Sequence, residues 1–213
     1  MPTLFFDNDG VLVNTEHLFF EANQQVLTTV GQPLTPRQFA DISLRQGLSV
    51  IRTLLHGQTE DDLAELHARR DALYTELLKT EPISVPGVEE QLAILKQTCR
   101  MAIVTSCRNE HFSVIHDRLN LLHYFDFVLT REDYQLSKPA PEPYLAALSR
   151  CGNNPADCLA IEDSPRGQQA ALAAGLDCMI IPNRFLAATD FNPTSQQVPN
   201  IRHLAAHILN RNA

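Results

Sequence analysis

Asp7 and Asp9 stand one residue apart, directly after the apolar run Leu4-Phe5-Phe6 and directly before Gly10. A strand alternates its side chains, so two carboxylates at this spacing point the same way. Like charges that close repel, and a cation or a shared proton relieves them. The pair therefore points to metal binding and to acid/base chemistry. Three more polar clusters follow apolar runs: Thr105-Ser106, Ser137-Lys138-Pro139 and Glu162-Asp163-Ser164. Carboxylate oxygens suit a hard cation such as Mg²⁺, while hydroxyl and ammonium groups suit phosphate oxygens. Taken singly, each cluster has a plainer reading. An acidic pair before glycine is a common turn, and a lysine before proline is usually a solvated loop residue. Thr105-Ser106 suits an ordinary strand end, and Glu-Asp-Ser before a helix suits a cap. The chemical reading rests on all four falling at strand ends in the order a phosphate site requires. A calcium-loop match of Asp7-x-Asp9-Gly10 with Glu16 is set aside. Its register puts Phe5 at the first ligand and needs a helix where the chain has a strand.

The elements that must position these groups are legible as short apolar runs. Residues 3–6, 101–104, 127–130, 158–161 and 178–181 read as buried parallel strands. Helical spacing separates the later ones, over residues 87–98, 109–119 and 141–150. Ser164-Pro165 then opens a helix with a cap and a proline at its first position, and Gly175 closes it. Strand–helix alternation means an α/β fold with a doubly wound parallel sheet. Residues 15–81 break the alternation. Leu18, Phe19, Ala22 and Val26 repeat at helical spacing, Thr59 caps a long acidic-ended helix, and Glu65 and Arg69 are spaced for an i,i+4 pair. This stretch reads as an inserted α-helical cap domain. Residues 1–14 and 82–213 then form the core, with a hinge near residues 13–16 and 81–86. The tail over 190–199 reads as a loop before a last short helix. Ligands of such sheets bind beyond the carboxyl ends of the strands, where all four clusters fall.

Bulk properties narrow the function. The chain has 213 residues, 44% hydrophobic and 20% charged, which is enough for a real core. A formal net charge of −8 argues against nucleic acid or an anionic membrane as a partner. No apolar run is long enough to span a bilayer, and Asp7 and Asp9 interrupt the only apolar start. The five cysteines lack a Cys-x-x-Cys pair, so they read as reduced, mostly buried thiols of a cytoplasmic protein. The expected partner is a small phosphorylated metabolite. Oligomeric state is not legible, and a monomer is the default.

The chain resembles the haloacid dehalogenase superfamily, in its branch of small-molecule phosphatases that carry a helical cap after the first motif. That motif reads Phe6-Asp7-Asn8-Asp9-Gly10-Val11-Leu12-Val13-Asn14-Thr15-Glu16. Thr105 fits the second motif, Lys138 in Ser137-Lys138-Pro139 the third, and Glu162-Asp163-Ser164-Pro165-Arg166-Gly167 the fourth. The resemblance implies a Rossmann-like core, a Mg²⁺ cofactor and an aspartyl-phosphate intermediate. Asp7 would be the nucleophile and Asp9 the general acid and base, with its carbonyl on the metal. Thr105 and the neighbouring Ser106 would hold the phosphate, and Lys138 would neutralise charge. Asp163, with Glu162 directly or through water, would complete the metal site.

Two departures bear on this. Asn14 stands where the branch usually has aspartate, which removes a charge near the metal while keeping a helix-capping residue. The rival within the superfamily is a sugar-phosphate mutase of the β-phosphoglucomutase kind, which uses a histidine early in the cap linker. That place holds Phe19, although His17 is near, so hydrolysis is the preferred reading. A third reading, a catalytically weak metabolite-binding protein, has only Asn14 in its favour. Specificity should come from the cap. Arg45, at a helix break, and Arg108, just past Thr105, are the candidates for contact with the rest of the substrate.

Overall fold

The structure, a computed structural model, describes residues 1–211. Positions 212 and 213, the last two of the expected core segment, lie outside the described residues. Six parallel strands form one sheet: β1 (Thr3–Phe6), β2 (Arg100–Val104), β3 (Phe127–Leu129), β4 (Cys158–Glu162), β5 (Asp177–Ile180) and β6 (Gln196–Gln197). Their order is β3-β2-β1-β4-β5-β6, which places β1 at the centre. Helices α5 (Val88–Leu95), α6 (Asn109–His116), α7 (Glu142–Cys151), α8 (Pro165–Ala173) and α9 (Leu204–Arg211) alternate with the strands. Sequence spacing predicts the first five strands to within a residue at each end. It misses β6, which lies within the tail read as a loop. Two glutamines carry no apolar run, so only pairing with β5 defines that strand.

Side chains alternate across the sheet and sort into two buried layers. Leu4, Phe6, Met101 and Ile103 face Leu92, Leu95, Ile115 and Ile208. Phe5, Ala102, Val104 and Ala160 face Tyr144, Ala147, Ala170 and Ala171. Alanines on the second face let α7 and α8 approach closely. Because both faces are covered, the strands read as continuous apolar runs, as parallel strands do. Phe6 of β1 pairs with Ile103 on one side and Ile161 on the other. With this register, the residues just past β1, β2 and β4 emerge level with one another.

Between β1 and β2 the described chain is almost wholly helical: α1 (Glu16–Thr29), α2 (Pro36–Phe39), a π-helical turn (Ala40–Arg45), α3 (Val50–Leu54) and α4 (Glu60–Thr80). These surround their own apolar cluster, including Val26, Leu27, Phe39, Leu44, Ile51 and Leu63. Thr59 caps α4 through a reciprocal bond with Asp62. The expected Glu65–Arg69 pair does not form. Arg69 donates instead to Thr29 Oγ1 on α1 (3.3 Å), because α1 and α4 pack side by side. The two chain crossings are tied to each other. Val13 bridges to Ser84, and the Asn14 N–H donates to the Ile83 carbonyl (2.9 Å). Asn14 itself is exposed and is not the cap of α1; Thr15 holds that position. No helix among the described residues is long and apolar enough to cross a membrane.

The helical unit sits against the carboxyl edge of the sheet. Arg45 pairs with Asp190 (2.7 Å), and Asp71 pairs with Arg108 (2.9 Å). Between these ion pairs, Gly47 adopts φ +70°, and a Cβ there would lie 2.6 Å from the Lys138 carbonyl oxygen. Gly47→Ala should therefore cost about 1–2 kcal/mol for the left-handed backbone alone. It should also push the helical unit off the Lys138 loop. Urea unfolding and small-angle scattering check both; wild-type stability with an unchanged scattering profile would sink the prediction.

Candidate active site

The chemical groups come from the ends of β1, β2 and β4 and from the loop that carries Lys138 after β3. Asp7 follows β1, and its N–H donates to the Ile161 carbonyl of β4 (2.9 Å). The chain then turns tightly, with the N–H groups of Leu12 and Val13 both donating to the Asn8 carbonyl (2.9 and 3.1 Å). Gly10 sits in this turn at φ +81°, and a Cβ there would lie 1.8 Å from Asp163 Oδ2. Glycine is required because the Asp163 carboxylate occupies the space a side chain would need.

Lys138 is buried, at 2% exposure. Its ammonium donates to Asp7 Oδ1 (2.9 Å), Glu162 Oε1 (2.6 Å) and the Val104 carbonyl (2.8 Å). All three of its protons are used. Burial alone would lower the Lys138 ammonium, but Asp7 and Glu162 outweigh it and hold it above the usual lysine value. Tyr144 of α7 closes the back of the site, donating its hydroxyl to the same Glu162 oxygen (2.6 Å). A Cβ on Gly167 would fall 1.9 Å from Glu162 Oε2, so this glycine makes room for that carboxylate. Glu162 thus orients Lys138, a task its place in the motif does not announce.

Oxygens of Asp7, Glu162 and Asp163 lie within 4.8 Å of one another, all three residues buried. Burial, with Glu16, Asp7 and Glu162 nearby, pushes the Asp163 carboxyl well above its usual range. Asn183, past the end of β5, donates to Asp163 Oδ2 (2.7 Å). Asp9 is partly buried, and its carboxylate stands apart from that trio. It accepts from Thr15 Oγ1, from Tyr74 of α4 (3.4 Å) and from Asn8 Nδ2 (3.3 Å). Burial raises its pKa, against the pull of the Thr15 bond. Thr105 has its carbonyl bonded by the Tyr134 hydroxyl (2.7 Å), and its own Oγ1 accepts from the Cys107 N–H (3.0 Å). Ser137 donates to Ser106 Oγ (2.9 Å). Cys107 stays a thiol, because burial raises it well above its usual value.

A cavity of about 430 Å³ joins Asp7, Asp9, Thr105, Ser106 and Lys138. Four groups that sequence reasoning did not single out also line it: Glu16, Arg70, Tyr74 and Arg166. Burial pushes Glu16 up to about 8 despite Arg166. Glu16 closes the first motif, Arg166 belongs to the fourth, and Asn183 lies just past a strand end, so position could have flagged them. Tyr74 carries no such signal. A second cavity of about 910 Å³ opens beyond, lined by Asn23, Ser43, Ser49, His67 and Arg70 of the helical unit together with Arg108 and Arg166. Arg108 lines both cavities while pairing with Asp71. Arg45 lines neither. Its guanidinium is held by Asp41 (2.6 Å) and Asp190 (2.7 Å), while Ser43 and Gly47 on either side of it reach the cavities. Two carboxylates within reach outcompete an orientation toward the site.

His116 supports the Asp7–Asp9 turn from beneath. Asn8 Oδ1 can only accept, so the imidazole bonds it through Nε2–H (2.9 Å) in the neutral form. Burial lowers His116 from 6.5 to about 4. The unfolded chain therefore binds the proton first, and stability falls as pH drops from 6.5 toward 4. The loss should reach about 3 kcal/mol at the lower limit. Urea denaturation across that window, with His116→Gln as comparison, checks it; parallel curves for the two proteins would refute it.

The profile described as haloacid dehalogenase-like hydrolase matches residues 4–181. A phosphorylated carbohydrates phosphatase of Thermotoga maritima is 33% identical over 183 residues, 83% of either chain. Hexitol phosphatase B of Escherichia coli is 28% identical over 185 residues, covering 83% of this chain and 82% of that one. In structure, CbbY from Rhodobacter sphaeroides, solved in complex with phosphate, superposes over 96% of both chains. Its TM-score is 0.81 at 22% identity, which speaks for the fold alone. The matched span runs from the strand before Asp7 past the strand after Asp163, and it takes in Lys138 and Thr105; the chain belongs to the haloacid dehalogenase-like hydrolases, on their phosphatase branch.

Proposed function

We propose that the protein is a Mg²⁺-dependent phosphomonoesterase that hydrolyses a phosphorylated carbohydrate through an aspartyl-phosphate on Asp7. The observation that carries this reading is the buried Lys138 ammonium on Asp7 and Glu162, beside Asp163, in the cavity that also holds Asp9 and Thr105. The donor set fits a hard divalent cation: three buried carboxylates converge, and one ammonium cannot offset them. Asp7 and Asp163 would hold the metal with the Asp9 carbonyl, and Glu162 directly or through water. When bound, the metal would draw the substrate phosphate to Asp7 and offset its charge.

The chain's own groups then divide the work. Asp7 attacks phosphorus; the bond to the ester oxygen breaks and its electron pair stays on that oxygen, which takes the Asp9 proton. Water next attacks the phosphoryl group on Asp7 and gives its proton to Asp9. The acyl phosphate P–O bond breaks, phosphate leaves, and both aspartates return to their starting forms. Thr105, Ser106 and Lys138 receive the phosphoryl oxygens. Most of the catalysis is positioning and charge stabilisation.

Residues 15–81 act as the cap domain over a core of 1–14 and 82–213. The larger cavity takes the leaving group, and its lining favours a polyhydroxylated chain over a two-carbon acid. Asn23, Ser43 and the Ser49–His67 pair (2.8 Å) offer donors and acceptors for hydroxyls. The names of the two curated relatives point the same way. Phe19 argues against the mutase. It lies under the Arg70 guanidinium (4.7 Å) and edge-on to Tyr74, and it offers no proton. Arg166 contacts the substrate where the cavities meet, since its buried Nε has no hydrogen-bond partner among the described residues.

Phosphate release from a panel of sugar, polyol and organic-acid phosphates tests this. Release should need Mg²⁺, stop with chelator and fall about a thousandfold or more in Asp7→Asn. Release that persists in Asp7→Asn would overturn the reading. Arg166→Gln should raise KM about tenfold with a smaller change in kcat, consistent with a lost charged hydrogen bond to bound substrate. An unchanged KM would remove Arg166 from the substrate contacts.

A further inference from the structure

Tyr74 belongs to the helical unit, 65 residues from Asp9 in the chain, yet its hydroxyl donates to Asp9 Oδ1 at 3.4 Å. The side chain is buried, at 4% exposure. Its ring is clamped edge-on between Phe19 (5.2 Å, 72°) and His111 (4.9 Å, 75°). Arg70 lies over the Phe19 ring. These contacts leave the phenol one direction, toward the inner cavity. Desolvation keeps the phenol protonated, so it acts as a donor. Thr15, at the start of α1, donates to the same Asp9 oxygen. Two donors therefore converge on Oδ1, while Oδ2 meets only the Asn8 amide at 3.3 Å. A carboxylic acid carries its proton on one oxygen, and an oxygen that already accepts two hydrogen bonds is the poorer place for it.

We propose that Tyr74 is a positioning residue of the cap that fixes Asp9 Oδ1, so that the catalytic proton rides on Oδ2 and faces the ester oxygen of the substrate. This rests on the reading of Asp9 as general acid. As the P–O ester bond breaks, the leaving oxygen keeps the electron pair and takes the Oδ2 proton. Because Tyr74 stands on the cap and Asp9 on the core, the acid is fully oriented only when the two are together. The bond is long in this structure, and catalytic hydrogen bonds commonly shorten once substrate is bound.

The test uses leaving groups. An alkyl phosphate such as a hexose 6-phosphate needs a proton on its departing oxygen, whereas 4-nitrophenyl phosphate releases a stabilised anion that does not. Tyr74→Phe keeps the clamped ring and removes only the hydroxyl. Its kcat/KM should fall about tenfold or more on the alkyl ester and less than about threefold on the aryl ester. Equal losses on both would show a merely structural role and overturn the proposal, as would no loss on either. Asp9→Asn, measured on the same two esters, separates this from the underlying reading. A loss in Asp9→Asn that does not depend on the leaving group sinks Asp9 as the acid. A leaving-group-dependent loss in Asp9→Asn with none in Tyr74→Phe sinks only the role of Tyr74.

Discussion

The site depends on one buried ammonium. Lys138 Nζ touches an oxygen from each of three central strand ends: Asp7 past β1, the Val104 carbonyl of β2 and Glu162 of β4. A charge this deep is tolerable only with opposite charge and full hydrogen bonding around it. The arrangement holds only if the three strands end level, which the parallel register ensures. Removing the ammonium would leave the Asp7 and Glu162 carboxylates without their opposite charge, at a cost of about 3–5 kcal/mol in comparable cases. Stability and chemistry are therefore tied together at this point of the fold.

Excess negative charge is the second constraint. Asp7, Asp9, Glu16, Glu162 and Asp163 gather at one edge, faced by Lys138 and Arg166. The glycines show how tightly the carboxylates are packed. Gly10 lies where any Cβ would strike Asp163, and Gly167 where any Cβ would strike Glu162. Both positions belong to the motifs for steric reasons, since a methyl group at either would displace an acidic side chain from the edge.

Division of labour between the two units follows from geometry. The core supplies Asp7, Thr105, Glu162 and Asp163 from strand ends, where the backbone is fixed by sheet pairing, and Lys138 from a loop. The helical unit supplies most of the lining of the outer cavity, and Thr15 and Tyr74 each bring a hydroxyl to Asp9. Its seat on the core is polar at the rim, through Arg45–Asp190 and Asp71–Arg108, and steric at the centre, where Gly47 meets the Lys138 backbone. Surface ion pairs of this kind are weak individually, so the rim adds little to what holds the two units together.

Strands 1 to 5, the helical interruption and the order of Asp7, Asp9, Thr105, Lys138 and Asp163 were determined by the sequence alone. Each is a local property: an apolar run of strand length, a change of period, a cap or a turn residue. What is not local escaped it. Arg45 had several carboxylates it could meet, and only the folded chain brings Asp190 beside Asp41. Tyr74 looks like any buried residue on an amphipathic helix until α4 is laid across the sheet edge. Strand β6 has no pattern of its own and exists because β5 offers an open edge. Periodicity and turn chemistry act over a few residues and can be read along the chain. The choice of partner among many similar charges and rings is made by distance, and distance across 65 residues of chain is set only by packing.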